Sequence, residues 1–202
     1  MRPHIPAALQ LDTFDGECWL GIIPFHMAGV ARRELPFGSR FRELNVRTYV
    51  TDGNKSGVWF FSLDASDGMA VWAARRWFGL PYHLASIRMI EQGQRFSYES
   101  TRAKGVATLR AEYGPAGDVF EAELGGLDHW LTERYCLSAN NRKGELVRAE
   151  VQHAPWSLQP AHATIRENTM TQELGIDIPD DLPVTHFAKK LEVVVWPPER
   201  VT

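Results

Sequence analysis

A chain of 202 residues with 44% hydrophobic and 23% charged content suits one globular domain, long enough to bury roughly 70% of its unfolded surface without disulfide or metal staples. The net charge of −3, with basic residues clustered only as pairs such as Arg32-Arg33, Arg75-Arg76 and Lys189-Lys190, argues against a nucleic-acid partner. No apolar run approaches membrane-spanning length and no basic-then-apolar leader opens the chain, so the expectation is a cytoplasmic protein with no membrane partner.

In chain order, runs rich in aromatic and β-branched residues between turn formers predict strands over 18–27, 43–50 and 57–65. A short helix is expected over 67–78, with Ser66 or Asp67 as N-cap and Gly79 as its stop. Strands follow over 84–92, 95–101 and 105–113, then a weaker helix over 127–134. The remaining pattern gives strands at 144–152, 161–167 and 191–196, with a marginal helix over 168–174. The joints TDGNKSG, EQGQ and NNRKGE carry the Gly and Asn that tight hairpins need. Many antiparallel strands with few helices predict a mainly antiparallel β, β-rich α+β chain: a barrel or closed sheet with a few short outer helices and a pocket inside or at its mouth. Cys18 and Cys136 lie far apart in apolar segments and are read as buried free thiols.

The segment FRELNVRTYVT (41–51) is the most informative strand. Side chains alternate along a strand, so Phe41, Glu43, Asn45, Arg47, Tyr49 and Thr51 share one face, and Leu44, Val46, Thr48 and Val50 the other. The polar face could meet solvent. Alternatively it lines the interior, with the aliphatic face under the outer helix. At about 3.3 Å per residue, Glu43 and Arg47 stand about 13 Å apart, able to hold two ends of one ligand but not each other. The next segment, 58–66, is apolar on both sides and reads as a central strand with Trp59 and Phe61 in the core. Asp64 is read as a turn or capping residue.

The blocks MRPHIPAALQLDTFDG, WLGIIPFHM, ELNVRTYV, GVWFFSLDA, LPYHLA and HFAKKLEVVVW, in that order, resemble the YqjF-like family, a bacterial domain of unknown function, over nearly the whole chain. Through 57–85 and the proline-rich opening, that family is distantly similar to acetoacetate decarboxylase. The resemblance implies a single domain over 1–202 with the decarboxylase-like fold. In the decarboxylase two consecutive lysines follow the proline equivalent to Pro81; one forms a Schiff base with the keto acid and the other lowers its pKa. Tyr82 and His83 stand there in this chain, and neither can form an iminium. A decarboxylase pocket glutamate corresponds to Glu43, two residues after an aromatic, Phe41, while an arginine near the decarboxylase N-terminus has no counterpart. The family also carries an extra N-terminal strand that this chain lacks. That implies an exposed edge, and so either self-association into a homo-oligomer or a more open pocket.

Other chemistry finds little support. The seven histidines show no HxH or HExxH spacing and the cysteines no CxxC, so no metal and no cofactor is expected. No GxSxG elbow occurs, and Gly125-Gly126 lacks the context of a phosphate loop. Lys189 and Lys190 would face opposite ways on a strand, so one could point inward. The expected ligand-binding set is Glu43, Asn45, Arg47, Tyr82 and His83, holding a small anionic or carbonyl-containing molecule without Schiff-base chemistry. The alternative is a lysine-independent lyase or isomerase acting on a small acid or keto compound, with Glu43 or His83 as the general base and Arg47 stabilising an enolate. A third reading is a structural or partner-binding protein with a filled barrel.

Overall fold

The structure, a computed structural model, describes residues 1–28 and 40–201. Among these residues fourteen strands belong to one sheet. In chain order they are β1 (Gln10–Leu11), β2 (Leu20–Ala28), β3 (Arg40–Thr51), β4 (Ser56–Ala65), β5 (Tyr82–Gln92), β6 (Arg95–Arg102) and β7 (Thr108–Pro115). The second half adds β8 (Phe120–Glu121), β9 (Cys136–Asn140), β10 (Leu146–His153), β11 (Ser157–Asn168), β12 (His186–Phe187), β13 (Val193–Val195) and β14 (Glu199–Arg200). Two α-helices interrupt them, α1 (Gly68–Trp77) and α2 (Leu127–Thr132). The third expected helix shrinks to one 3-10 turn, Gln172–Leu174. No helix among the described residues is long and apolar enough to cross a membrane.

The strand-rich expectation holds, and most pairings are antiparallel. The β5–β6 hairpin turns at Gly93, whose φ of 65° is the left-handed conformation such a joint requires. The sheet is not closed, however, which corrects the expected barrel. Its strand order runs from β12 at one end to β13 at the other. The reason lies at β4. One edge of β4 carries β3 along almost its whole length, while the other is shared by two parallel partners. β9 takes Val58 and Trp59, and β5 takes Leu63, Asp64 and Ala65. The sheet therefore forks: β5, β6, β7 and β11 leave in one arm, β9 and β10 in the other. A cleft of about 300 Å³ sits in the fork, bordered by Trp59, Phe60, Phe61, Pro81 and Ala139. Gly79 lets the arms come this close, because a Cβ there would lie 2.2 Å from the Asn140 carbonyl oxygen.

The central strands are covered on both faces. A bulge between Val46 and Arg47 shifts the β3–β4 register by one residue, so Val58, Phe60, Leu63 and Ala65 fall on one side despite their changed parity. Leu44, Val46 and Val50 pack with Phe61, Ile87, Tyr98, Leu109 and Met170 in the largest core. Tyr49, Val58, Leu63 and Leu137 form a second core on the opposite face. Helix α1 starts at Asp67, whose carboxylate accepts from the Met69 and Ala70 amides at 2.8 and 3.0 Å. It packs through Val71 on Phe41 and Ala65. The helix thus covers the Phe41 and Glu43 side of β3, not the aliphatic side as expected. The aliphatic face needs no helix because the curled sheet buries it.

Both cysteines are free, but only Cys136 is buried; Cys18 is exposed, because it precedes β2 rather than lying inside it. Burial pushes the Cys136 thiol up to about 12.

Candidate functional site

The strand register decides which of the expected residues meet. Glu43 pairs with Ala65 and Phe25, and Asn45 with Leu63 and Ile23. Tyr82 lies beside Leu63 on β5. Paired residues share a face, so Glu43, Asn45 and Tyr82 converge on the side that α1 covers, with Arg47 one step further along β3. The Tyr82 hydroxyl donates to Glu43 Oε2 at 2.9 Å. From α1, Arg75 Nε donates to the Tyr82 carbonyl at 2.5 Å and anchors the start of β5.

His83 does not join them. Adjacent strand residues point to opposite faces, and His83 lies beside Asp64 on the far side. There Arg102 chelates Asp64 (Nη2 to Oδ1 2.9 Å, Nε to Oδ1 3.1 Å) and reaches Glu173 Oε2 with Nη1 at 2.8 Å. Asp64 is 0% exposed, so it is a buried ion-pair partner and not the cap expected from the sequence, a role that Asp67 takes. Burial pushes the Asp64 carboxyl up, with Arg102 pulling against it. Burial also brings His83 down to about 4, helped by the positive charges of Arg102 and Arg75. At neutral pH it is an uncharged imidazole.

The Glu43 face has a different electrostatic character. Glu43 is 2% exposed, and burial raises its carboxyl to about 8 against the opposing hydrogen bond from Tyr82. Burial and the neighbouring Glu43 likewise hold the Tyr82 phenol well above its ordinary value. At pH 7 this end of the row is a neutral acid beside a neutral phenol. Asn45, 5% exposed, has an amide oxygen with no hydrogen-bond partner among the described residues, and so has Arg47 Nε. Arg47 keeps one long contact, Nη2 to the Leu131 carbonyl at 3.3 Å, and its guanidinium lies 5.7 Å from the Tyr49 ring.

Neither the fork cleft nor a second one of about 350 Å³, bordered by Arg148, Glu150, Trp196 and Arg200, is lined by any of these five residues. All five lysines of the chain are exposed. Lys189 and Lys190 sit on the surface, and Lys190 Nζ pairs with Glu192 at 2.6 Å. Neither points inward. Sequence reasoning missed the buried Arg102 and Arg134, which show no local signature; only the strand pairing and α2 bring them inside.

The fold is acetoacetate decarboxylase-like, as superposition on solved structures shows. The crystal structure of acetoacetate decarboxylase from Legionella pneumophila superposes with a TM-score of 0.68 at 12% identity, over 100% of this chain and 79% of that one. The enduracididine biosynthesis enzyme MppR complexed with pyruvate gives 0.60 at 9% identity, over 96% and 77%. An acetoacetate decarboxylase-like enzyme from Sphingomonas wittichii gives 0.56 at 13%, over 99% and 85%. Within that fold the chain belongs to the DUF2071 family, described as uncharacterized conserved proteins, whose pattern matches residues 1–192. It is 42% identical over 201 residues to the uncharacterized protein YqjF of Bacillus subtilis, covering 98% of this chain and 83% of that protein.

Proposed function

We propose that the protein binds a small anionic or carbonyl-containing molecule along the β3 row, with no Schiff-base step. The observation that carries this reading is a pair of buried atoms without partners among the described residues: Arg47 Nε, a donor that an anionic oxygen would meet, and Asn45 Oδ1, an acceptor that a hydroxyl of the same ligand would meet. A buried polar atom without a partner costs about 1–3 kcal/mol, a cost that a ligand relieves by supplying the missing hydrogen bond. Arg47 offers a planar donor fork to an anion, and the protonated Glu43 and Tyr82 offer hydrogen bonds to a carbonyl or hydroxyl. The pyruvate complex of MppR, a remote fold neighbour, is in keeping with a small keto acid as ligand class. The exposure of every lysine supports binding without an iminium, because an exposed amine lacks the desolvation that helps to lower a nucleophilic lysine's pKa.

The test is a thermal-shift screen of small carboxylic and keto acids, repeated on Asn45→Ala and Arg47→Ala. Stabilisation of the native chain that both variants lose supports the reading; stabilisation that survives in both overturns it. Borohydride treatment with acetoacetate should leave no adduct, and an adduct on any lysine defeats the Schiff-base exclusion.

A second reading follows from the Glu43 carboxyl at about 8. A group that titrates there can exchange a proton with the carbon next to a ligand carbonyl, acting as base in its ionised form. Deuterium wash-in from heavy water into a bound keto acid, rising through pH 8 and absent in Glu43→Gln, is its signature.

A further inference from the structure

Beyond the row itself, its Tyr49 end gathers more donors than the described residues there supply with acceptors. Arg134 follows α2, and its guanidinium lies 4.1 Å from the Trp130 ring and 5.0 Å from the Tyr49 ring. Arg47 approaches the same Tyr49 ring at 5.7 Å. Arg134 is 7% exposed; its Nη1 meets Asp12 Oδ2 at 2.6 Å and its Nε the Trp130 carbonyl at 2.6 Å, but Nη2 has no hydrogen-bond partner among the described residues. Trp19 stands one step ahead of the first β2–β3 pair, Leu20 with Thr48, and so falls opposite Tyr49 on the same face. It packs into the Tyr49 core, and its indole N–H is also buried without a partner. Between Trp19 and Ile23, Gly21 faces Arg47; a Cβ there would stand 3.4 Å from Arg47 Cγ and 3.6 Å from its Nε.

We infer that Arg47, Arg134 and Trp19 form an oxyanion subsite at the Tyr49 end of the row, built for the carboxylate of a small organic acid. Three donor atoms lack acceptors among the described residues: Arg47 Nε, Arg134 Nη2 and Trp19 Nε1. A carboxylate brings two oxygens with about four lone-pair sites, enough for all three. The charges agree: Asp12 offsets one of the two guanidiniums, which leaves one net positive charge for a monoanion. The tilted ring pair of Tyr49 and Trp130, 4.6 Å between centroids, packs against the Arg134 guanidinium and limits the entropy it loses on binding. This subsite rests on the reading above and adds a polarity to it. The acid end of the ligand lies toward Tyr49, with a hydroxyl toward the Asn45 amide oxygen and a carbonyl toward the protonated Glu43.

The test follows the indole and arginine Nε resonances of 15N-labelled protein during titration with sodium pyruvate and sodium malonate, against sodium chloride at equal ionic strength. Trp19→Phe and Arg47→Lys assign the signals. The Trp19 indole and Arg47 Nε resonances should move with both acids and stay still with chloride. Affinity should fall at least tenfold in Arg134→Gln, fall less in Arg134→Lys, and rise several-fold in Asp12→Asn, which removes the competing carboxylate. A merely structural Arg134 would not give the opposite response at Asp12. If the acids bind but these resonances stay still and neither Asp12→Asn nor Arg134→Lys alters affinity, the subsite is wrong and the row reading stands. If neither acid moves any resonance, both fail.

Discussion

The two faces of the β3–β4 pair each bury a carboxyl group and treat it in opposite ways. On the large-core face, Asp64 and Arg102 satisfy each other, and Glu173 takes a further N–H. On the α1 face, Glu43 keeps only Tyr82, while Asn45 and Arg47 leave polar atoms unmatched. Burial alone therefore does not mark a functional site. What separates the faces is the treatment of their arginines: Arg102 is matched by Asp64 and Glu173, whereas Arg47 Nε has no partner among the described residues. The Ser62 and Ser100 hydroxyls on the large-core face also lack one.

The largest expected effect comes from breaking the satisfied face. Arg102→Ala strands the Asp64 carboxylate and should cost about 3–5 kcal/mol, a melting-temperature loss of roughly 10 °C in calorimetry. The double variant Arg102→Met with Asp64→Leu should recover much of that loss. A double variant no better than Arg102→Ala alone would show that the pair stabilises in its own right.

The opposite face should respond with the opposite sign. Between pH 4.5 and 8 the unfolded Glu43 ionises while the folded one stays protonated, so stability falls as pH rises through that window. Glu43→Gln removes the effect. It should melt about 5 °C above the native chain at pH 9 and alongside it at pH 4, which a pair of thermal-unfolding series would read. Asn45→Leu should give a smaller gain, about 1 kcal/mol or roughly 3 °C, while abolishing ligand stabilisation. A loss on that substitution would mean the amide already has its partner.

His83 offers the finest distinction. Its folded value of about 4 lies below the ordinary 6.5, so the folded state binds the proton less well than the unfolded one. Stability present above pH 6.5 is then lost as pH falls toward 4. His83→Asn should flatten that acid limb by about 2 °C and leave ligand binding untouched, because the imidazole is on the satisfied face.

Much of this was legible in the sequence. Alternation along 41–51 assigned Glu43, Asn45 and Arg47 to one face, and the register bears this out. The same rule, applied to Tyr82 and His83, would have parted them; the glycine and proline before them suggested a turn, yet β5 begins at Tyr82 itself. Arg102 and Asp64 are 38 positions apart and Arg134 and Asp12 are 122, so neither pairing leaves a local pattern. The open sheet was equally hidden. It depends on β4 sharing one edge between β5 and β9, parallel pairings between distant segments that leave no local pattern.

The fork also divides the molecule mechanically. Each arm is built of long antiparallel ladders between neighbours, whereas β4 holds them by two residue pairs to β9 and three to β5. Short parallel ladders joining distant segments have a high entropic cost of closure and contribute few hydrogen bonds. Amide protons at Leu137, Ser138 and Leu63 should thus exchange through a subglobal opening that leaves the β5–β6–β7 meander protected. That opening makes the seam along β4 the line on which the two arms breathe apart as separate cooperative units.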